Sequence, residues 1–368
     1  MKFKSFYTQQ QNAKEAAIDL HHALVECNPG LIFVFATSKT DIALLNKELA
    51  QKFEDSIIIG CTSAGEITTG KMLDNSVVAM AINKSEIEAC KVEIVENLDN
   101  YAQSLDKAFE SFTEYFGTPI SNLDYKKYIG FILIDGLSLK EEQLMDSIGD
   151  QTNVFFVGGS SGDDLSFKTT YVFADGKVMN NAAVLCLLKP KTQFEILKTQ
   201  SFVSTGKILK VTKANESKRQ ILEFNNKPAT VAYAELLGVD EAKISDYFFS
   251  NPVGLMSGNE PYVRSPQRVD GETMYFYCSM KEGMELQLLQ TGDIVSDTHK
   301  DLSSKMNEMG TVSAIINFHC ILRTLQLKQS GQSQDYGKLF TVPTVGFSTY
   351  GECYLGHINQ TSTMVLFK

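Results

Sequence analysis

The segment Ile-Ile-Ile-Gly-Cys-Thr-Ser-Ala-Gly-Glu-Ile, residues 57–67, places a thiol, two hydroxyls and a carboxylate directly after an apolar run. A thiolate at a strand end attacks a carbonyl when a base stands nearby, which suggests a hydrolase or acyltransferase with Cys61 or Ser63 as nucleophile. The same loop suits binding, because strand-end loops rich in Gly and Ser/Thr turn backbone N–H groups and hydroxyls toward anions such as a carboxylate. A third reading is a tight turn, with Gly60 and Gly65 at positive φ and the hydroxyls serving local backbone groups.

A twin of this loop separates the readings. Gly60-Cys-Thr-Ser-Ala-Gly-Glu66 aligns without a gap on Gly346-Phe-Ser-Thr-Tyr-Gly-Glu352. Phe347 stands where the first copy has Cys61, so that place asks for bulk rather than reactivity. Emphasis moves to the shared groups: Thr62, Ser63 and Glu66 in one copy, Ser348, Thr349 and Glu352 in the other. The glutamates either hold a ligand ammonium or cap a neighbouring backbone. The halves are ancient duplicates, or they present similar loops to one site. A third glycine run, Gly158-Gly-Ser-Ser-Gly-Asp163, adds Ser160, Ser161 and Asp163 at a shorter spacing. Arg323 lies one turn into an expected helix among Ile321, Leu322 and Leu325, where an arginine needs an anion: a protein carboxylate such as Glu352 or Asp163, or a ligand carboxylate held bidentately. Arg264 is a second cation of this kind. His319 has either a core or helix-start role or a ligating one.

These residues need elements to hold them. Helical spacing over 12–26, strand 31–36, helix 39–53 and strand 56–60 predict crossover connections and a parallel pair with covered faces. Strands follow over 76–82 and 87–94, then a helix over 102–116 and a strand over 128–134. Ser138 is placed to cap the next helix, with Glu141 and Glu142 in its first turn. Strand 154–157 empties into the third glycine run, and Asp175-Gly176 marks a hairpin. Residues 189–207 suggest a join between two units. Beyond it come a strand or strand pair over 216–224, a helix over 228–237, strands near 262–269 and 273–279, a helix over 297–309, a strand over 311–318, a helix over 320–329, and strands over 344–350 and 361–367.

Composition narrows the function. A chain of 368 residues exceeds one ordinary domain. Its net charge of −10, with only short basic clusters, excludes nucleic acid as the expected partner. Seven scattered cysteines without a CxxC pair argue for a reducing compartment. The N-terminus lacks the apolar core of a signal peptide and no stretch is long enough for a membrane span, so a cytoplasmic protein is expected. His21, His22, His299 and His357 have no partner at a ligand spacing, so no metal is expected. No phosphate-binding glycine motif with its lysine is present.

The ordered set of motifs resembles the FIST family of sensory proteins. The N-terminal part carries Gly60–Ile67, Asp135-Gly136-Leu137, Val157–Asp163 and Val172–Gly176; the C-terminal part carries Lys227-Pro228-Ala229, Val263-Arg264, Lys281–Met284, Phe318–Arg323, Val345–Glu352 and Asn359-Gln360-Thr361. The resemblance implies a non-catalytic ligand-sensing protein that recognises small molecules such as amino acids and signals to a histidine kinase, a chemoreceptor or a cyclic-dinucleotide enzyme. Some relatives are associated with haem and nitric oxide, which would require an axial His, Cys or Met, and the sequence singles out none. With no output domain expected, the signal would pass to a partner in trans. The expectation is therefore a mixed α/β (α+β) protein of two associated units, each a mixed β-sheet covered by helices: a FIST N-like domain over 1–200 and a FIST C-like domain over 201–368. An amino acid or other small carboxylate would bind where the units meet, held by the loops and Arg323. A haem-binding nitric oxide sensor and a Cys- or Ser-dependent hydrolase are the alternatives.

Overall fold

The computed structural model describes residues 1–258 and 260–368, a mixed α/β chain in two compact units. The first comprises residues 1–199, 299–356 and 362–368; the second comprises 200–298 and 357–361. Among the described residues no helix is long and apolar enough to cross a membrane.

The first unit repeats one pattern three times. The first copy runs β1 (Phe3–Thr8), α1 (Ala13–Leu24), β2 (Pro29–Thr37), α2 (Ile42–Lys52), β3 (Ile57–Ser63), a hairpin of β4 (Glu66–Thr68) and β5 (Lys71–Leu73), and β6 (Val77–Asn83). The second runs β7 (Ile87–Glu96), α3 (Ala102–Phe116), β8 (Ile129–Ile134), α4 (Glu141–Gly149), β9 (Phe156–Ser160), β10 (Val172–Ala174), β11 (Lys177–Met179) and β12 (Ala182–Pro190). The third begins with β13 (Phe194–Gln200), so residues expected to join two units are largely strand. The chain then enters the second unit through β14 (Phe202–Asn215), β15 (Gln220–Phe224), β16 (Lys227–Pro228), α5 (Ala229–Leu237), β17 (Val253–Ser257), β18 (Glu260–Arg264), β19 (Pro266–Asp270), β20 (Thr273–Phe276) and β21 (Glu285–Thr291). The third copy resumes with α6 (Ile294–Met309), β22 (Ala314–Cys320), α7 (Ile321–Gln329), α8 (Ser333–Lys338), β23 (Thr344–Thr349) and β24 (Glu352–Cys353), and after β25 (His357–Ile358), which falls in the second unit, it ends with β26 (Thr361–Phe367).

Each copy builds a sheet around one parallel pair: β2 with β3, β8 with β9, and β22 with β23. The third strand of the copy returns antiparallel on the first of the pair. The hairpin after each second strand does not stay at home. It crosses to the next sheet, so β4 pairs with β23, β10 with β3, and β24 with β9. The expected single sheet per unit therefore gives way, in the first unit, to three interlocked sheets. Their orders are β1-β6-β2-β3-β10-β11, β7-β12-β8-β9-β24 and β13-β26-β22-β23-β4-β5.

Alternation along the parallel strands explains the layers, since successive side chains point to opposite faces. One face of each sheet supplies a shared core, including Phe33, Phe35, Cys61, Phe131, Leu133, Phe318 and Phe347. Phe35 sits 4.5 Å from Phe347 and 6.4 Å from Phe318, centroid to centroid, and Phe33 lies edge-on to Phe131 at 4.9 Å. The opposite face packs on helices: Val34, Ala36 and Val77 with α1 and α2, and Ile132, Ile134 and Ala183 with α3 and α4. The second unit has its own sheet, β18-β17-β21-β14-β15-β20-β19 with β16 on β15, and a core around Val211, Phe224, Tyr233 and Met274.

Candidate functional site

The three glycine loops form a closed ring of backbone hydrogen bonds. Ala64 N–H donates to Ser348 O at 3.2 Å, and Ser348 N–H donates to Gly65 O at 2.7 Å. Tyr350 N–H donates to Ser160 O at 3.1 Å, and Ser160 N–H to Gly351 O at 2.8 Å, which is the same pair one sheet on. Gly162 N–H donates to Thr62 O at 3.0 Å, and Thr62 N–H to Tyr171 O at 2.9 Å, closing the ring. Tyr171 thus takes the place of Gly65 and Gly351, because the second loop carries an insertion over 163–170. The strand register agrees: Glu66 is opposite Phe347, Glu352 opposite Gly159, and Val172 opposite Cys61. Asp163 is therefore not the counterpart of the two glutamates; Val172 is.

Eleven of the twelve residues proposed from the sequence fall in the first unit, and Arg264 falls in the second, on β18. The eleven are all buried. Cys61, Thr62, Ser63, Glu66, Ser161, Ser348, Thr349 and Glu352 are 0% exposed, Arg323 1%, and Ser160 and Asp163 2%. The first glycine of each motif has a packing reason: a Cβ on Gly60, Gly158 or Gly346 would lie 2.0, 1.7 or 2.3 Å from the carbonyl oxygen of Val34, Ile132 or Asn317 on the parallel partner strand.

Several of these groups have structural employment. Glu66 accepts from Ser63 Oγ, from Ser76 N–H at 3.0 Å and from Ser76 Oγ at 2.7 Å. Burial pushes its carboxyl up to about 7, against the pull of the Ser63 and Ser76 hydrogen bonds. Of the two roles foreseen for it, backbone capping is the one it performs here. Asp163 gathers its own insertion, accepting from the N–H groups of Phe167, Lys168 and Thr169 and from Tyr350 Oη–H at 2.5 Å. Burial raises its pKa, but those hydrogen bonds outweigh burial and hold the carboxyl below its ordinary value. The thiol of Cys61 is pushed well above its usual range by burial, which suits a core side chain better than a nucleophile.

The raised carboxyl of Glu66 has a measurable sign. Between pH 4.5, the ordinary value, and about 7 the folded chain keeps a proton that the unfolded chain has released. Stability therefore falls as pH rises through that window and levels off above it. The span corresponds to about 3 kcal/mol at most. In urea unfolding from pH 4.5 to 8, the difference between wild type and Glu66→Gln should change by a few kcal/mol across the window. A constant difference would show that Glu66 is ionised throughout.

The polar groups on the helix-facing side of β22 were only partly legible in the sequence. His319 stands beside α7 with its Nδ1 2.9 Å from Tyr336 Oη. Tyr336 Oη also donates to Ser362 Oγ at 3.2 Å, and Ser362 donates to Asn317 Oδ1 at 2.7 Å. Thr324, on α7, shares a hydrogen bond of 2.7 Å with Ser348. Burial first, and then the positive charge of Arg323, hold the His319 ring well below its ordinary pKa, so it is neutral. Asn317, Thr324, Tyr336 and Ser362 gave no signal in the sequence, since α8 is short and the residues are far apart along the chain. Among the described residues no group of three or more His, Cys, Asp and Glu side chains is placed to hold a metal ion. A haem would need an open face beside its axial ligand; His319 is 0% exposed with the Tyr336 ring 4.6 Å away, and does not fit one in this conformation.

Two clefts open on the first unit, and none of the twelve residues lines either. One of about 640 Å³ is lined by Tyr125, Phe155, Phe194, Lys305 and Tyr354 among others, and one of about 810 Å³ by Met145, Ile148, Thr152 and Leu355 among others.

Comparison with known proteins gives a relative in Methanocaldococcus jannaschii, an uncharacterized protein 24% identical over 271 residues. The match takes in 68% of this chain and 51% of that one, so the chain spans about half the length of this relative. A solved structure, PurLQS from Thermotoga maritima, aligns over 99% of this chain and 72% of its own with 11% identity, but at a TM-score of 0.21. That value is too low to inform the fold. The family comparison is decisive: the FIST N domain matches residues 30–227 and the FIST C domain residues 229–354. With both domains in order over most of its length, the chain belongs to the FIST family, which points to the sensing of small ligands in signal transduction.

Proposed function

We propose that this protein senses a small carboxylate-bearing metabolite, an amino acid being the first candidate, at the junction of the glycine loops in its first unit. Occupancy would be reported to a separate signalling protein such as a histidine kinase, a chemoreceptor or a cyclic-dinucleotide enzyme. The observation that carries this reading is the buried cation Arg323, 1% exposed at the start of α7, whose positive charge acts on the buried His319 ring at the end of β22. A guanidinium recognises a carboxylate through two parallel hydrogen bonds, and hydroxyls supply the remaining donors. Because the loops are closed, admission of a ligand requires them to move, and a movement that differs between bound and free states is what a sensor transmits.

The test is a thermal-shift panel of amino and organic acids, followed by titration calorimetry on each hit. Arg323→Lys keeps the charge but loses the bidentate fork, and should weaken a hit by tenfold or more. Unchanged affinity in that variant, or a panel without hits, would refute the carboxylate reading.

A further inference from the structure

The triplication of the first unit acts as an internal control on what its architecture requires. Residues equivalent by strand register are Val34, Ile132 and Asn317, opposite the first glycine of each motif, and Ala36, Ile134 and His319, two residues further on. On the returning strand, Val77 is opposite Ala36, Ala183 opposite Ile134, and Ser362 opposite His319. At these three places two of the sheets carry only apolar side chains, although the polar Thr62 and Ser160 stand beside them on the parallel strand. In the third sheet the same places are Asn, His and Ser, closed over by Tyr336 from α8. The fold is satisfied by aliphatic side chains at these places, so the polar set in the third copy is there for something other than the fold.

Hydrogen-bond accounting shows what the set does. The one hydroxyl proton of Ser362 is committed to Asn317 Oδ1, because that oxygen is an acceptor only. Ser362 Oγ therefore accepts, and Tyr336, 3.2 Å away, must donate to it. Were Tyr336 to donate to His319 instead, two oxygen lone pairs would face each other across that 3.2 Å. Tyr336 Oη then accepts, from Asn317 Nδ2–H at 3.5 Å and from His319 Nδ1 at 2.9 Å, which makes Nδ1 the protonated nitrogen. Nε2 is left as a bare lone pair. It is buried and has no hydrogen-bond partner among the described residues. A buried acceptor left in this way has given up its hydrogen bond to water without replacement, a loss that a donor from a ligand would recover.

We propose that His319 Nε2 is the recognition point for an N–H or O–H donor of the ligand, with the Tyr336–Ser362–Asn317 relay fixing the tautomer that makes it an acceptor. The positive charge of Arg323 acts on the same ring and disfavours a bare cation there. The ligand class is then an anion that also carries a donor: a 2-amino or 2-hydroxy carboxylate rather than a plain fatty or keto acid. This assignment rests on the carboxylate-sensing reading above and narrows it.

Two measurements test it. In the full-length protein labelled with ¹⁵N-histidine, the signals lost in His319→Gln should be those of a neutral ring with a protonated Nδ1 and a bare Nε2, unchanged from pH 8 to pH 5.5. An Nε2–H tautomer, or an imidazolium in that range, overturns the proposal; Tyr336→Phe should release the tautomer, and a variant that keeps it also counts against the relay. In the second, L-amino acids, their 2-hydroxy analogues and their deaminated analogues are titrated as matched sets. Donor-bearing members should bind about tenfold or more tightly than deaminated ones and shift the Nε2 signal. Equal binding across a set sinks the His319 assignment while leaving carboxylate sensing intact, whereas no binding by any set removes both.

Discussion

Replacing Gly158 with alanine should prevent normal folding or reduce stability by about 3 kcal/mol or more, the upper end for atoms forced into a packed core. The added Cβ would stand 1.7 Å from Ile132 O and 2.7 Å from its carbonyl carbon. Those atoms belong to the backbone of β8, which is hydrogen-bonded on both sides, to β9 and to β12. No side chain can turn away to make room, so strand β8 itself must yield, and with it the join between β9 and β24. Gly149→Ala is the control: nothing lies within 4 Å of its would-be Cβ, and it ends a helix, where alanine is the better former. Urea unfolding of the two variants against wild type checks the claim, and similar midpoints for both would refute it.

Phe35→Ala should cost about 3–5 kcal/mol, the range for truncating a buried aromatic side chain. Phe35 is 0% exposed and touches rings from its own sheet and from β22 and β23, so one truncation opens the shared core to two sheets at once. The cavity cannot collapse easily, because each sheet is pinned to another by a crossing hairpin. Thermal melting should show the transition of the first unit moved down undivided by several degrees. A first unit that melts in two steps would mean that its sheets unfold independently and that the core is not shared as described.

The sequence reading recovered what depends on local pattern. The parallel pair β2 and β3, the helix α5 with its start at Pro228 and the helix α7 behind Cys320 all carry apolar periodicity or stop signals that survive in any context. The twin motifs at Gly60 and Gly346 were legible because no residues are inserted between their marks. The third run was visible only in its first half, Gly158–Asp163, because the insertion over 163–170 moves Tyr171 and Val172 out of step, and only strand register restores them. The glycines themselves were visible, but their reason was not: a ligand loop and a close crossing of strands ask for the same residue. Asn317, Tyr336 and Ser362 could not be found, since their meeting with His319 depends on how three strands and a short helix stack.

The exchanged hairpins also set an order on the birth of the protein. A nascent chain emerges from its N-terminus onward, yet β4, made early, must wait for β23 at residues 344–349, and β9 must wait for β24 at residues 352–353. The last links of the ring are thus fixed only after residues 344–353 have been made, nearly 300 residues after β4. Contacts so distant along the chain close slowly, and until they do, strand edges on two sheets stay open to pairing with other chains. Ribosome-bound chains truncated before residue 344 should therefore depend on chaperones, because the ring cannot close without β23.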